Sequence, residues 1–313
     1  MEVIRASVMG FCMGVKRAVD KAEQALSEAA LADGQPGGGC SAGGTGSPAL
    51  GETRGPAARV FSLGPLIHNP TVLADFEKRG LSILTPDGGA FPDVQGASVL
   101  IRAHGTTPQV IAELEQAGAK VIDATCPKVH LSQKRAGEWS SRGYAIVIAG
   151  DRNHGEVTSI ASFAKGSVFV VQNAEEADRL LLPDACVLIA QTTFSPAEFD
   201  RIRRVLQEKL PGLQVFNSIC SATMERQDAL GELAEKVEGI IVIGGKASAN
   251  TRRLYERAKG LVRRAELADL IEDASMIKES FFQLERVGIT AGASTPEAVV
   301  RAVEERLLSG RPV

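Results

Sequence analysis

The chain has 313 residues, 44% hydrophobic and 23% charged, a globular composition that excludes a disordered or collagen-like chain and leaves room for two domains or three small ones. With 35 Lys and Arg against 38 Asp and Glu the net charge is −3, so no global field selects a nucleic acid partner. Its apolar runs are too short to span a bilayer and its start lacks the pattern of a signal peptide, so a cytoplasmic protein with no membrane partner is expected.

From the N-terminus, residues 15–30 place Val15, Ala18, Val19, Ala22, Leu26, Ala29 and Ala30 at the i, i+3, i+4, i+7 spacing of one buried helix face. Residues 34–58 are rich in Gly, Pro, Ser and Ala without a periodic face, and are expected to form a mobile surface loop carrying an incidental Cys40. Beyond it, strand-like runs alternate with helical stretches: VFSL, SVLIRAH, AKVIDAT, YAIVIAG, SVFVVQN, CVLIAQT, LQVFNS, GIIVIGG and RVGITAG. That alternation predicts βα units and parallel sheets. Leu230, Leu233, Ala234 and Val237 mark another helix face. Five cysteines, an odd number without paired spacing, argue against a disulfide framework; Cys186, inside CVLIA, reads as core.

The chain repeats itself. Cys12, Cys126 and Cys220 each sit where a strand-like segment passes into a helical one. A later strand then ends in glycine with a polar residue four positions on: Gly64 to His68, Gly150 to His154, Gly244 to Ser248. A second strand follows, closed by a polar turn and proline, at AHGTTP, AQTTFSP and TAGASTP, where proline suits the first turn of a helix. Three divergent α/β units account for this: 1–124, carrying the 34–58 insert, 125–218, and 219–313.

Residues just past the C-terminal ends of parallel strands line the ligand crevice, beside helix N-termini that present free N–H groups. Three units about a pseudo-threefold axis would bring three thiolates together, a set that suits a zinc ion or an iron–sulfur cluster. Ligands drawn from well-separated turns favour the cluster, since a structural zinc recruits a fourth ligand at short spacing. His68, His104 and His154, with Thr192, Thr193, Ser248, Asn250 and Ser294, offer donors for a phosphate or diphosphate. Glu156 is the carboxylate placed to move a proton, or a helix-capping charge. Asp123 and Asp151 read as turn residues and His130 as structural or solvated.

The segments GFCMGVKRAV (10–19), LGPLIHN (63–69), RAHGTTP (102–108), DATCP (123–127), HGE (154–156), QTT (191–193), SICSATMERQ (218–227), GGKASANT (244–251) and ITAGASTP (289–296) together resemble the 4-hydroxy-3-methylbut-2-enyl diphosphate reductase family, also called LytB or IspH, of non-mevalonate isoprenoid synthesis. The resemblance implies an α/β trefoil around one [4Fe–4S] cluster per chain, with Cys12, Cys126 and Cys220 as ligands. It implies diphosphate binding by His68, His104, His154, Ser248, Asn250 and Ser294, and proton management by Glu156 and Thr192. The implied reaction uses two electrons, delivered singly by a ferredoxin or flavodoxin, and two protons to expel the allylic hydroxyl as water, giving isopentenyl and dimethylallyl diphosphates. Two departures stand out: Ala249 where family members commonly carry a second serine, and KVHLSQKRA after DATCP. The other readings of the same residues are a redox sensor with this cluster but no turnover, and a zinc-stabilised phosphate-binding protein.

Overall fold

The computed structural model describes residues 1–32, 59–85 and 91–310; the 34–58 segment with its expected loop and Cys40 lies outside the described residues. In chain order the strands are β1 (Glu2–Arg5), β2 (Val60–Leu63), β3 (Leu81–Leu84), β4 (Ser98–Ile101), β5 (Lys120–Asp123), β6 (Ala145–Ala149), β7 (Val168–Val171), β8 (Cys186–Ala190), β9 (Gln214–Phe216), β10 (Gly239–Ile243), β11 (Ala268–Ile271) and β12 (Arg286–Ala291). The helices are α1 (Met13–Ala32), α2 (Pro70–Lys78), α3 (Pro108–Gln116), α4 (Pro127–Ser141), α5 (Gly155–Ser162), α6 (Ala174–Arg179), α7 (Pro196–Lys209), α8 (Ser221–Ala234), α9 (Ala249–Leu261) and α10 (Glu297–Ser309).

The strands form three sheets of four, ordered β3-β2-β4-β5, β7-β6-β8-β9 and β11-β10-β12-β1, with every pairing parallel. The α/β class, small parallel sheets and threefold repetition expected from the sequence are all present. β6, β8 and β10 read AIVIA, CVLIA and GIIVI and are buried along their whole length, as strands covered by helices on both faces must be. Helices sit on both sides; α1 places Ala18, Ala22, Ala25 and Leu26 in the first core cluster, with Val15, Val19 and Ala29 packed against it. Ala25 takes the buried place expected of Ala30, which is exposed.

Two findings differ from the sequence reading. Three strands went unpredicted, β1 (EVIR), β3 (LSIL) and β11 (ADLI); each is a four-residue edge strand, too short for its pattern to stand out. The more consequential difference concerns β1. It pairs with β12, Ile4 opposite Gly288, and so completes the third sheet although it begins the chain. β5 and β9 hold the same edge position in the other two sheets. Each of these edge strands is therefore followed by a cysteine that opens the next helix and the next unit: β1 by Cys12, β5 by Cys126, β9 by Cys220. The repeat is circularly closed, and the first strand of the 1–124 segment belongs by hydrogen bonding with 219–313.

Candidate active site

In each sheet the two central strands run to adjacent, oppositely wound connections, the point where open α/β sheets form their crevice. The turns after β2, β4, β6, β8, β10 and β12 carry His68, His104, His154, Thr192, Ser248 and Ser294. Local chemistry fixes the turns: Asn69, Thr107, His154, Asn173, Ser195 and Ser248 each accept an amide N–H at the start of a helix, satisfying donors that would otherwise lack a partner. Pro108 and Pro196 open α3 and α7 as expected, whereas Pro296 precedes the first residue of α10.

The three cysteines are held alike. Cys12 N–H donates to the Ala293 carbonyl at 3.1 Å, Cys126 N–H to Ala103 at 3.0 Å, and Cys220 N–H to Thr192 at 2.8 Å. Each acceptor belongs to the last turn of the preceding unit, so the closure seen in the sheets is repeated at the centre. All three thiols line one cavity with the three histidines, Glu156, Thr192, Ser248, Asn250 and Ser294. Burial pushes the Cys126 thiol up. Gly14 leaves the space between two of the sulfurs open: a Cβ there would lie 2.8 Å from Cys126 Sγ and 3.9 Å from Cys12 Sγ. Among the described residues the three thiols are not grouped closely enough to hold a single metal ion as they stand. Sulfurs sharing one zinc at about 2.3 Å would stand only about 3.8 Å apart, so the cage suits a wider polynuclear group. Gly14→Ala is expected to retain less than about half the iron of the unsubstituted chain after anaerobic reconstitution, while the melting temperature of the metal-free protein stays the same or rises, because alanine is the better helix former. Equal iron contents would show that the sulfurs need not keep this spacing.

Beside the cage the imidazoles form a cradle. The His68 and His104 ring centroids are 5.0 Å apart and those of His104 and His154 are 4.9 Å apart, and one ligand nitrogen from each lies within 4.8 Å of the others. Burial is the main cause holding all three below the usual histidine range, His104 well below it and His154 at about 4. Arg102 and Arg252 add positive field at His68 and His154. Neutral imidazoles ligate cations in general, but the positive field of two nearby guanidiniums disfavours a cation here and suits an anion. His154 Nδ1 accepts the Glu156 N–H at 3.2 Å, which leaves Nε2 as the protonated, donating nitrogen. Asn250 Nδ2 is buried without a partner among the described residues, and Ser294 Oγ donates to the His68 carbonyl at 3.2 Å.

Glu156, on the first turn of α5, is 1% exposed. Its Oε1 accepts the Thr192 N–H at 2.6 Å and its Oε2 accepts the Thr192 hydroxyl at 2.9 Å. Burial pushes its carboxyl up to about 7, overriding those two hydrogen bonds. A carboxyl so placed exchanges a proton near neutral pH.

Residues weighed as bystanders have ordinary roles. His130 Nε2 lies 2.8 Å from Asp123 Oδ2 with both side chains well exposed, Asp151 pairs with Arg253 at 2.8 Å, and Cys186 is buried in β8, its thiol donating to the Pro183 carbonyl. Ala249, at the departure noted in the sequence, is buried and lines the cavity. Sequence reasoning missed two arginines. Arg102 lies against Gly64 and Gly155, where added Cβ atoms would meet its guanidinium; Arg226 lines the cavity itself. Both sit inside motifs quoted above, but an arginine read from sequence alone is by default a solvated side chain.

The model of the family described as LytB protein matches residues 49–308. A relative from Treponema denticola, named 4-hydroxy-3-methylbut-2-enyl diphosphate reductase, is 41% identical over 317 residues, spanning 99% of this chain and 100% of its own. A solved structure described as (E)-4-hydroxy-3-methyl-but-2-enyl diphosphate reductase, the terminal enzyme of the non-mevalonate pathway, matches with a TM-score of 0.65 at 32% identity, over 99% of this chain and 100% of that one. Another, described as E-1-hydroxy-2-methyl-but-2-enyl-4-diphosphate reductase from Plasmodium falciparum, shares the fold with a TM-score of 0.81 at 24% identity, over 97% of this chain and 87% of that one. Similarity over nearly the whole length, on a fold that carries the motifs of all three units to one cavity, establishes that this chain belongs to the LytB family.

Proposed function

We propose that this chain is an oxidoreductase that reductively dehydroxylates 4-hydroxy-3-methylbut-2-enyl diphosphate to isopentenyl and dimethylallyl diphosphates, using one [4Fe–4S] cluster held by Cys12, Cys126 and Cys220. The observation that carries the reading is a single cavity combining a three-thiol cage, a cradle of imidazoles under positive field, and a buried carboxyl that titrates near neutrality. The T. denticola relative at 41% identity, named for this activity, supplies the substrate. When bound, such a cluster supplies electrons one at a time and an iron without a protein ligand that can act as a Lewis acid.

The chain's own groups do the rest. His68, His104 and His154, with Ser248, Asn250 and Ser294, hold the diphosphate, and the idle Asn250 amide is a ready donor to it. That anchors the allylic carbons toward the thiol cage. Glu156, steadied by Thr192, delivers a proton to the departing hydroxyl, which leaves as water. Two electrons and two protons balance the reaction. The electrons come singly from a ferredoxin or flavodoxin. Among the described residues no helix is long and apolar enough to cross a membrane, and the reaction is assigned to the cytoplasm.

The test is anaerobic: reconstitute the protein with iron and sulfide, supply reduced viologen, and add 4-hydroxy-3-methylbut-2-enyl diphosphate. Substrate-dependent viologen oxidation is expected. An intact cluster with no such oxidation overturns the reading in favour of a redox sensor, and zinc with no iron overturns it in favour of a phosphate-binding protein.

The cradle also predicts a pH dependence. His68 and His104 are neutral when the site is empty, and a bound polyanion raises their pKa values. Binding therefore takes up protons, and affinity for inorganic diphosphate is expected to rise as pH falls from about 8 to about 6, by up to about tenfold per pH unit for each imidazole that becomes charged. Titration calorimetry in buffers of different ionisation enthalpy reads the uptake, and His104→Ala should reduce it. Proton release in the unsubstituted protein that His104→Ala leaves unchanged would refute the imidazole cradle.

A further inference from the structure

Arg226 is buried, and among the described residues no carboxylate is ion-paired with it. It lies on α8 six residues after Cys220, is 3% exposed, and lines the cavity that holds the three thiols. Its guanidinium is pinned at both ends: Nη1 donates to the Ala222 carbonyl of its own helix at 2.6 Å, and Nη2 to the Gly10 carbonyl at 2.6 Å. The third donor, Nε–H, is buried without a partner among the described residues. The acidic groups close enough to act on it are Cys12, Cys220 and Glu225, and Glu225 is exposed to solvent. A guanidinium does not shed its proton in a protein, so its charge must be met where it sits, and an unmet buried charge is strongly destabilising. The groups that share its cavity are the Cys12 and Cys220 side chains: Cys220 opens its own helix, and Cys12 follows the turn it grips at Gly10.

We propose that Arg226 is the fixed counter-charge of the thiolate cage, tying the Cys12 turn to α8 and raising the reduction potential of the iron–sulfur group held there. The inference rests on the cluster reading of the site. Its physical basis is general. Reduction adds one electron, and therefore one negative charge, to the group in the cage. A positive charge on the wall of the cavity that holds the sulfurs favours that reduced form, and cluster potentials respond to net charge and to hydrogen bonds at sulfur. Arg226 touches neither substrate nor reacting atoms in this account; it is a positioning and tuning residue.

The experiment compares the reconstituted protein with R226Q and R226K, reading the midpoint potential by mediated titration followed by electron paramagnetic resonance, alongside iron per chain. R226Q removes the charge, and its potential is expected to fall by at least a tenfold shift of the one-electron equilibrium, about 59 mV. R226K keeps the charge and loses the fork, and it is expected to stay within about half of that shift. An unchanged potential in R226Q overturns the proposal, as does an R226K shift equal to that of R226Q, which would make packing the cause. If R226Q retains no iron, R226K decides alone: a potential near that of the unsubstituted protein supports the role, and a shift of tenfold or more overturns it. If the unsubstituted protein takes up no cluster, the reading of the site fails and the role of Arg226 fails with it, whereas full iron with an unmoved R226Q potential removes the role of Arg226 alone.

Discussion

Serine in place of Cys12, Cys126 or Cys220 is expected to cost the protein about nine-tenths or more of its bound iron and its turnover with it, whichever of the three is replaced. The equivalence follows from the threefold construction: each sulfur is held by the same amide-to-carbonyl contact to the preceding unit, so none is a spare. Cys186 cannot substitute, being buried in β8 with its thiol turned to the Pro183 carbonyl. A hydroxyl does not ionise to replace a thiolate at neutral pH. The fold should be indifferent. Cys126 and Cys220 occupy helix N-cap positions at which their side chains make no capping bond, and serine is among the best residues there, worth about 1 kcal/mol over a non-capping side chain. The metal-free Cys126→Ser and Cys220→Ser proteins are expected to melt at the same temperature as the unsubstituted one or higher. Iron analysis and thermal melts of the same samples check both halves; full iron in any of the three variants removes that residue from the cage.

What the sequence made legible was whatever repeats. The three cysteines, the glycine-to-polar offset of four residues and the proline-closed turns recur in register, and parallel βα geometry sends recurring turns to one end of the sheets. That is why His68, His104 and His154 could be grouped before their rings were seen 5 Å apart. The central strands were legible for a related reason: AIVIA, CVLIA and GIIVI are continuous apolar runs because helices cover both faces. What lay hidden was whatever depends on a partner far along the chain. β1 reads EVIR, half polar, and gains its meaning only by pairing with β12 some 285 residues later. Arg226 reads as one more charge on a helix until the Gly10 carbonyl arrives from the other end of the sequence. Glu156 stood open between two roles, and burial is what favours the proposed one: a capping carboxylate at a helix N-terminus would be solvated and low in pKa, whereas this one is enclosed and raised.

The sharpest consequence falls on that residue. Glu156→Gln keeps the size of the side chain and an acceptor for the Thr192 N–H, while its amide can donate to the Thr192 hydroxyl, so the cluster and diphosphate binding should persist. Turnover should fall about 10²-fold or more, the scale of a lost positioned proton donor. The same substitution should also change stability, with a sign that depends on pH. The carboxyl is raised from 4.5 to about 7 in the folded protein. A raised pKa gives a contribution that is fully present below about pH 4.5 and is lost as pH climbs through about 7. Above that the folded protein bears a desolvated carboxylate that the unfolded chain keeps in water, at a cost on the order of 3 kcal/mol by the usual 1.36 kcal/mol per pH unit. The glutamine variant escapes this cost. Melting of the metal-free proteins should therefore show Glu156→Gln close to the unsubstituted chain at pH 4.5 and clearly more stable at pH 8, the reverse of what a structural carboxylate gives, since such a group stabilises most when ionised. A stability gain at high pH together with lost turnover identifies a carboxyl kept protonated for use; near-normal turnover, or a variant less stable at pH 8, would end its assignment as the proton donor.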